Sequence, residues 1–173
     1  MTVVHALYGV AALLALAPIT LFLGAAVRAT GFVYGACLII TVILLANALL
    51  ALFGHQATIS DVTLPLGLPW LGAHFRVDAL SSFFLVVVNL GGALASLFAL
   101  GYGRHEESPQ RVLPFYPAYL AAMNLVVLAA DAFSFLVSWE FMSLTSWALV
   151  IAHHRDRENL RAGYVYLLSL IHI

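Results

Sequence analysis

The sequence contains no lysine, a single cysteine and very little charge: only 9% of its 173 residues are charged. Soluble domains carry about a quarter charged residues and are about half apolar. Here 64% of the residues are hydrophobic, and the mean hydropathy is +1.03. An ordinary soluble domain is therefore excluded. Seven basic residues against eight acidic ones leave no electrostatic footprint for nucleic acid. Cys37, alone inside an apolar run, excludes a disulfide framework and a thiolate metal cage. The sequence also lacks a glycine-rich phosphate loop, a ligand-spaced Cys/His set and a nucleophile-base pair. No cofactor, no metal and no redox centre of its own is expected.

What the chain does have is long apolar runs. They cover residues 3–27, 32–53, 79–102, 112–130 and 132–152, and another begins at 162–173. A helix of about 20 apolar residues crosses a hydrocarbon core about 30 Å thick. Five runs meet that length, and the sixth is too short to span. In lipid a helix satisfies its own backbone groups, which a lone strand does not. The expected fold is all-α: a polytopic membrane helix bundle with five complete transmembrane helices and the start of a sixth, forming one membrane domain over 1–173 embedded in the lipid bilayer. Residues 1–28 lack the basic n-region and short apolar core of a signal peptide, so a retained helix is expected, with Pro18 a candidate kink.

All seven basic residues are arginines. With alternating spans, Arg28, Arg104, Arg111, Arg155, Arg157 and Arg161 fall on one side and Arg76 alone on the other. Positive-inside bias then puts the N-terminus outside and the arginine-rich loops in the cytoplasm, in an inner (plasma) membrane protein. The long outer connection, 55–78, carries Pro65, Gly67, Pro69 and Gly72. It reads as either an extended, hairpin-like segment at the interface, with Trp70 as a belt residue, or a simple surface loop. Between the fourth and fifth spans the link Ala129-Ala130-Asp131 is so short that the helices must be antiparallel neighbours, with Asp131 capping the fifth. Gly31/Gly35 and Gly92/Ser96 are small-xxx-small pairs suited to close helix contact, and Asn47, Asn89 and Asn124 are amides expected to bond across to neighbouring helices, with a hydrated path as the alternative for Asn124 alone.

One charge lies within a span. Glu140 is nine residues beyond Asp131 and twelve before Ala152, close to mid-bilayer at about 1.5 Å per residue. An intramembrane carboxylate costs several kcal/mol unless it is neutralised or paired, and so points to function. Every arginine is at a membrane edge, so the counter-charge must come from elsewhere. Ser143, at i+3, is expected on the face of Glu140, with Trp147 following at i+7. Its hydroxyl is a candidate for carrying hydrogen bonds or water to the acid. His153 and His154 at the cytoplasmic end are candidate proton relays.

Two stretches resemble a known family. Phe75-Arg76-Val77-Asp78-Ala79-Leu80-Ser81-Ser82-Phe83-Phe84 resembles the start of the third helix of the antiporter-like proton-translocating subunits. Residues 127–147, with Ala130-Asp131 and Trp139-Glu140-Phe141-Met142-Ser143-Leu144, resemble their fourth-to-fifth helix turn and acidic fifth helix. That family is shared by respiratory complex I, the multi-subunit sodium/proton antiporters and membrane-bound nickel-iron hydrogenases, and the wording around Glu140 is most similar to the hydrogenase-4 component B and formate hydrogenlyase branch. The resemblance covers residues about 75 to 168. It implies that Glu140 modulates a lysine on the seventh helix, that the partners are other membrane subunits of a hydrogenase or complex I-like assembly, and that the chain is a membrane subunit of an oxidoreductase complex. The alternatives are a sodium/proton antiporter subunit and a non-transporting scaffold. It also implies that this is the N-terminal third of a longer protein. The tail Ser169-Leu170-Ile171-His172-Ile173 departs from the family's small and polar pattern, so His172 is given no role.

Overall fold

A computed structural model of the chain describes residues 2–23, 27–54, 59–67, 70, 72–103, 109–153 and 157–171. The helices are α1 (Val3–Leu23), α2 (Val27–Phe53), α3 (Ala79–Tyr102), a short α4 (Pro109–Val112), α5 (Phe115–Leu128), α6 (Ala132–Val150) and α7 (Arg157–Ile171). A 3-10 turn, Ile151–His153, follows α6. Among the described residues, five segments are long and apolar enough to cross a membrane, with α4 and α5 together forming the fourth over Pro109–Leu128. The chain is a multi-pass membrane protein.

Local chemistry sets the helix boundaries. α1 runs through Pro18 without interruption. α2 begins at Val27, ahead of its apolar run, because Arg28 in a first turn does not interrupt a helix. The fourth span breaks at Leu113-Pro114, since proline disfavours helical geometry in the residue before it, and resumes with Pro117 in the first turn of α5. α7 starts at Arg157, five residues before its apolar stretch.

The connection between α2 and α3 is a β-hairpin. β1 (Ser60–Leu64) pairs antiparallel with β2 (Ala73–Val77), in a register that sets Val62 opposite Phe75 and Asp61 opposite Arg76. Ala73, Phe75 and Val77 point inward and His74 and Arg76 outward, the period-2 alternation of a half-buried strand. Gly72 opens β2 at φ +69°, where a Cβ would lie 3.0 Å from the Leu64 carbonyl oxygen; only glycine suits this turn.

α2 packs along α3, α5 packs against α6 and α1, and α1 also meets α2. The core joining them includes Leu13, Val33, Cys37, Leu44, Leu85, Leu120 and Leu128. The hairpin lies across one end of this bundle. It meets the start of α1 through the Val3 N–H, which donates to Ser60 Oγ at 3.1 Å, and the α5–α6 turn through a bridge between Phe75 and Ala129. That end is the outer one in the arginine-derived orientation.

Candidate functional site

Asp131 joins the hairpin to α6. It is the N-cap of α6: Oδ1 accepts the Ser134 N–H at 2.8 Å, and Oδ2 accepts the Ser134 hydroxyl at 2.6 Å. Oδ2 also accepts the backbone N–H of His74 at 2.9 Å, with His74 Nδ1 3.4 Å away. The Ala130 N–H donates in return to the His74 carbonyl at 2.9 Å. The Ser134 hydroxyl, then the two N–H groups and the His74 ring, hold the Asp131 carboxyl down at about 2 against the opposing effect of partial burial. One carboxylate thus fixes where α6 starts and ties β2 to it. A second cap repeats the device on α3. Asp78 and Ser81 form a reciprocal capping box, and Arg76 Nε lies 3.5 Å from Asp78. The Ser81 N–H, with lesser help from its hydroxyl and Arg76, lowers the Asp78 carboxyl below its ordinary range.

From that fixed start, α6 carries Glu140 eight residues inward, about 12 Å by helical rise and near the middle of the 19-residue span. Glu140 is exposed, on a stripe with Leu136, Val137 and Leu144. It makes no hydrogen bond or ion pair among the described residues. Ser143, one turn on, is turned inward at 3% exposure, and no hydrogen bond joins it to Glu140. The i, i+3 offset is 60° around the helix, enough here to put the hydroxyl beyond the edge of the exposed stripe. The structure does not bring the two together. Trp147 also faces a neighbour: its indole N–H donates to the Gly163 carbonyl of α7 at 3.2 Å, and Ser146 bonds the Tyr166 hydroxyl at 2.8 Å. His153 closes the 3-10 turn after α6, but its side chain lies outside the described residues. His154 lies outside them altogether, as do Arg104 and Arg155 of the orientation argument.

The buried polar groups of α3 and α5 form a separate seam. Asn89 and Asn124 exchange amide hydrogen bonds at 2.8 and 3.4 Å, and each also donates to the carbonyl four residues earlier. Ser96 bonds the Tyr116 hydroxyl at 2.8 Å, and the Tyr116 ring meets Tyr34 edge-on. Each of the two amides thus directs its donors at protein, which makes the seam a packing device. Asn47 differs from its expectation: its amide donates to the Ile43 carbonyl of its own helix at 2.8 Å. Of the small-residue pairs, Gly92/Ser96 sits at a close contact, whereas nothing lies within 4 Å of a Cβ built on Gly31 and only Leu100, at 4.0 Å, near one on Gly35. His74 and Tyr116 escaped the sequence reading because their partners are 57 and 20 residues away.

Comparison with known proteins adds a second line of support. No family model matches the chain. Hydrogenase-4 component B of Escherichia coli (strain K12) is 37% identical over 93 residues, covering 53% of this chain and 14% of the relative. NADH-quinone oxidoreductase subunit L of the same strain is 30% identical over 89 residues, covering 51% and 14%. Over half its length, the chain matches the antiporter-like subunit family. An uncharacterized protein of Mycobacterium tuberculosis (strain ATCC 25618 / H37Rv) is 32% identical over 99 residues, 57% of this chain and 16% of its own. The chain thus spans about one seventh to one sixth of the length of these curated relatives.

Proposed function

We propose that this chain is part of a proton-translocating, antiporter-like membrane subunit of a redox-driven complex of the hydrogenase-4/formate hydrogenlyase or NADH:quinone oxidoreductase type. Its place is the plasma membrane, with the N-terminus outside, and its partners are other membrane subunits of that assembly. The observation that carries this reading is Glu140: an acid near mid-span, on the exposed face of α6, with no partner among the described residues. On insertion scales a charge at the centre of a spanning helix costs about 2.5–3.5 kcal/mol. Such a residue is tolerated when a further membrane helix covers that face and supplies a cation, or when the acid takes up a proton. Either condition makes its charge responsive to a neighbour, as coupled proton movement requires. The relatives named as hydrogenase and NADH-quinone oxidoreductase subunits support the redox-driven type.

In this reading Glu140 is the proton-linked group and Asp131 the cap that sets its depth. Ser143, buried beside the exposed stripe, supports water or hydrogen bonds along the inward side of α6, and His153 and His154 serve the cytoplasmic end. The test is Glu140→Gln in the full-length protein, with assembly and proton pumping measured together in inverted membrane vesicles. Normal assembly with pumping reduced several-fold is expected. Undiminished pumping in this variant and in Glu140→Leu would leave Glu140 as a helix-packing group in a scaffold.

A further inference from the structure

We propose that His74 and Asp131 form a proton-operated latch between the hairpin and α6, closed when the His74 imidazole is charged and slack when it is neutral. Among the described residues, His74 Nδ1 is the one buried side-chain nitrogen or oxygen without a hydrogen-bond partner. Native proteins rarely leave such an atom unpaired. It lies 3.4 Å from Asp131 Oδ2, long for a hydrogen bond and within reach of an ion pair. The side chain as a whole is 40% exposed, so water reaches the rest of the ring and can deliver a proton.

Imidazole chemistry supplies the switch. In the neutral ring one nitrogen donates and the other accepts, whereas in the cation both donate. A bare Nδ1 turns its lone pair towards a carboxylate oxygen, which is repulsive. A proton on Nδ1 alone gives a long, neutral contact. The cation sets a full positive charge against Asp131, which already accepts the Ser134 N–H, the Ser134 hydroxyl and the His74 backbone N–H. Imidazole changes charge between about pH 5 and 8, and a carboxyl held at about 2 stays ionised throughout.

The other charges nearby are few. On the outward face of the hairpin, Asp61 of β1 and Arg76 of β2 line a shallow depression with His74 and Asp131. Arg76 leans to Asp78, the cap of α3, at 3.5 Å. α1 brings His5, bonded to Thr2, and Tyr8. α3 and α5 carry no charged residue, and their tyrosines, Tyr102, Tyr116 and Tyr119, lie towards the other end of the bundle. Glu140 is about 12 Å further along α6. Among the described residues, Asp131 alone lies within ion-pair distance of the ring.

The latch acts where the hairpin grips α6. The His74 and Ala130 N–H groups and the Phe75–Ala129 bridge hold β2 to the α5–α6 turn. The hairpin's own turn also rests on α6: at Gly67, with φ +84°, a Cβ would come within 2.5 Å of Phe133 Cε1. Protonation adds a charge-assisted contact to this set, present below the imidazole range and lost as pH rises through it. In the proposed orientation the latch faces the outer compartment. It does not depend on the role proposed for Glu140.

The test is hydrogen–deuterium exchange of the full-length protein in phospholipid nanodiscs at about pH 5 and about pH 8, the limits of imidazole titration. Each rate is divided by that of an unstructured amide at the same pH. Peptides covering 73–77 and 129–134 are read against the peptide around Asn89, whose amide bonds to Leu85 and Asn124 and to no titratable group. Protection of the first two is expected to be about two- to five-fold higher at acid pH, the effect of a partly exposed ion pair, with the Asn89 peptide unchanged. His74→Gln, which keeps the backbone bonds, and Asp131→Asn, which keeps an N-cap, are each expected to flatten that dependence. Three results would overturn the proposal. They are equal protection at the two pH values in the wild type, a dependence that survives His74→Gln, and one that His74→Gln removes but a folded Asp131→Asn retains, which would give the charge another partner such as Asp61.

Discussion

Asp131 organises the hairpin end of the bundle because a single carboxylate meets three donors, two from its own helix start and one from distant β2, with the His74 ring beside them. Replacing an N-cap carboxylate by alanine costs about 1–2 kcal/mol. Asp131→Ala also strands the His74 N–H, so a loss at or above the upper end of that range is expected in detergent-micelle unfolding. The pH dependence has a definite sign. The carboxyl is at about 2 in the folded protein, below the ordinary value of about 3.9 for the unfolded chain. Its contribution is therefore complete above pH ~4 and is lost as pH falls from there through ~2. The side chain is 19% exposed, and the shift corresponds to on the order of 2 kcal/mol. Wild type and Asp131→Ala should converge in stability at the acid end of that window; a constant gap from pH 7 to 2 would show that the cap carries no charge-dependent stability. The Asn89–Asn124 pair makes a separate residue-level prediction. A double-mutant cycle to alanine should return a coupling of about 0.6 kcal/mol, and at most about 1.7, as for other hydrogen bonds between membrane helices. No coupling would mean that the two amides are satisfied by their own helices alone.

Among the elements, a close contact brings α3 against both α2 and α5 at Gly92. A Cβ there would stand 3.0 Å from Leu120 Cδ2 and 3.2 Å from Thr41 Cγ2, so Gly92→Val should cost about 1–3 kcal/mol through overpacking. Gly31→Ala, where nothing lies within 4 Å of a Cβ, should be neutral or mildly stabilising because alanine is the better helix former. Thermal unfolding of the two variants side by side checks the contrast. The sequence shows both positions as small-xxx-small pairs and contains nothing that separates them. Helix existence was legible because it depends on apolar run length, and Asp131's capping position because it depends on adjacent residues. The hairpin was legible only as one of two readings, since Gly72 and Pro65 signal turns without stating what pairs. Rotation about each helix axis was not legible. Glu140 and Ser143 share a face by spacing alone, yet packing against α5 and α7 leaves one exposed and turns the other inward. Which side of a uniformly apolar helix faces its neighbours depends on contacts distant in sequence.

The whole molecule is asymmetric across the membrane, and that asymmetry carries the proposed orientation. The hairpin, the Asp131 cap and the start of α1 gather at one end, while by sequence position six of the seven arginines fall in or next to the segments that join the helices at the other. Positive-inside bias assigns the hairpin end to the outside. Two exposed positions report on the two ends: Asp61 on β1 and Gln110 on α4. Cys37, fully buried in the core, is first replaced by alanine so that only an introduced thiol is read. In that background, a membrane-impermeant maleimide added to intact cells should label Asp61→Cys and leave Gln110→Cys unlabelled until the membrane is permeabilised. The reverse pattern would invert the topology, and labelling of both from outside would contradict an odd number of spans between the two positions. The orientation also bears on Glu140. The acid is about 12 Å from the hairpin end of α6 and about 15 Å from the other end by helical rise, so neither surface is appreciably closer. In the proposed orientation, with the hairpin on the outer side and no described partner on its own face, Glu140 depends for its charge on whatever covers α6 laterally. In the proposed role, orientation and lateral packing together, rather than depth, decide from which side it exchanges its proton.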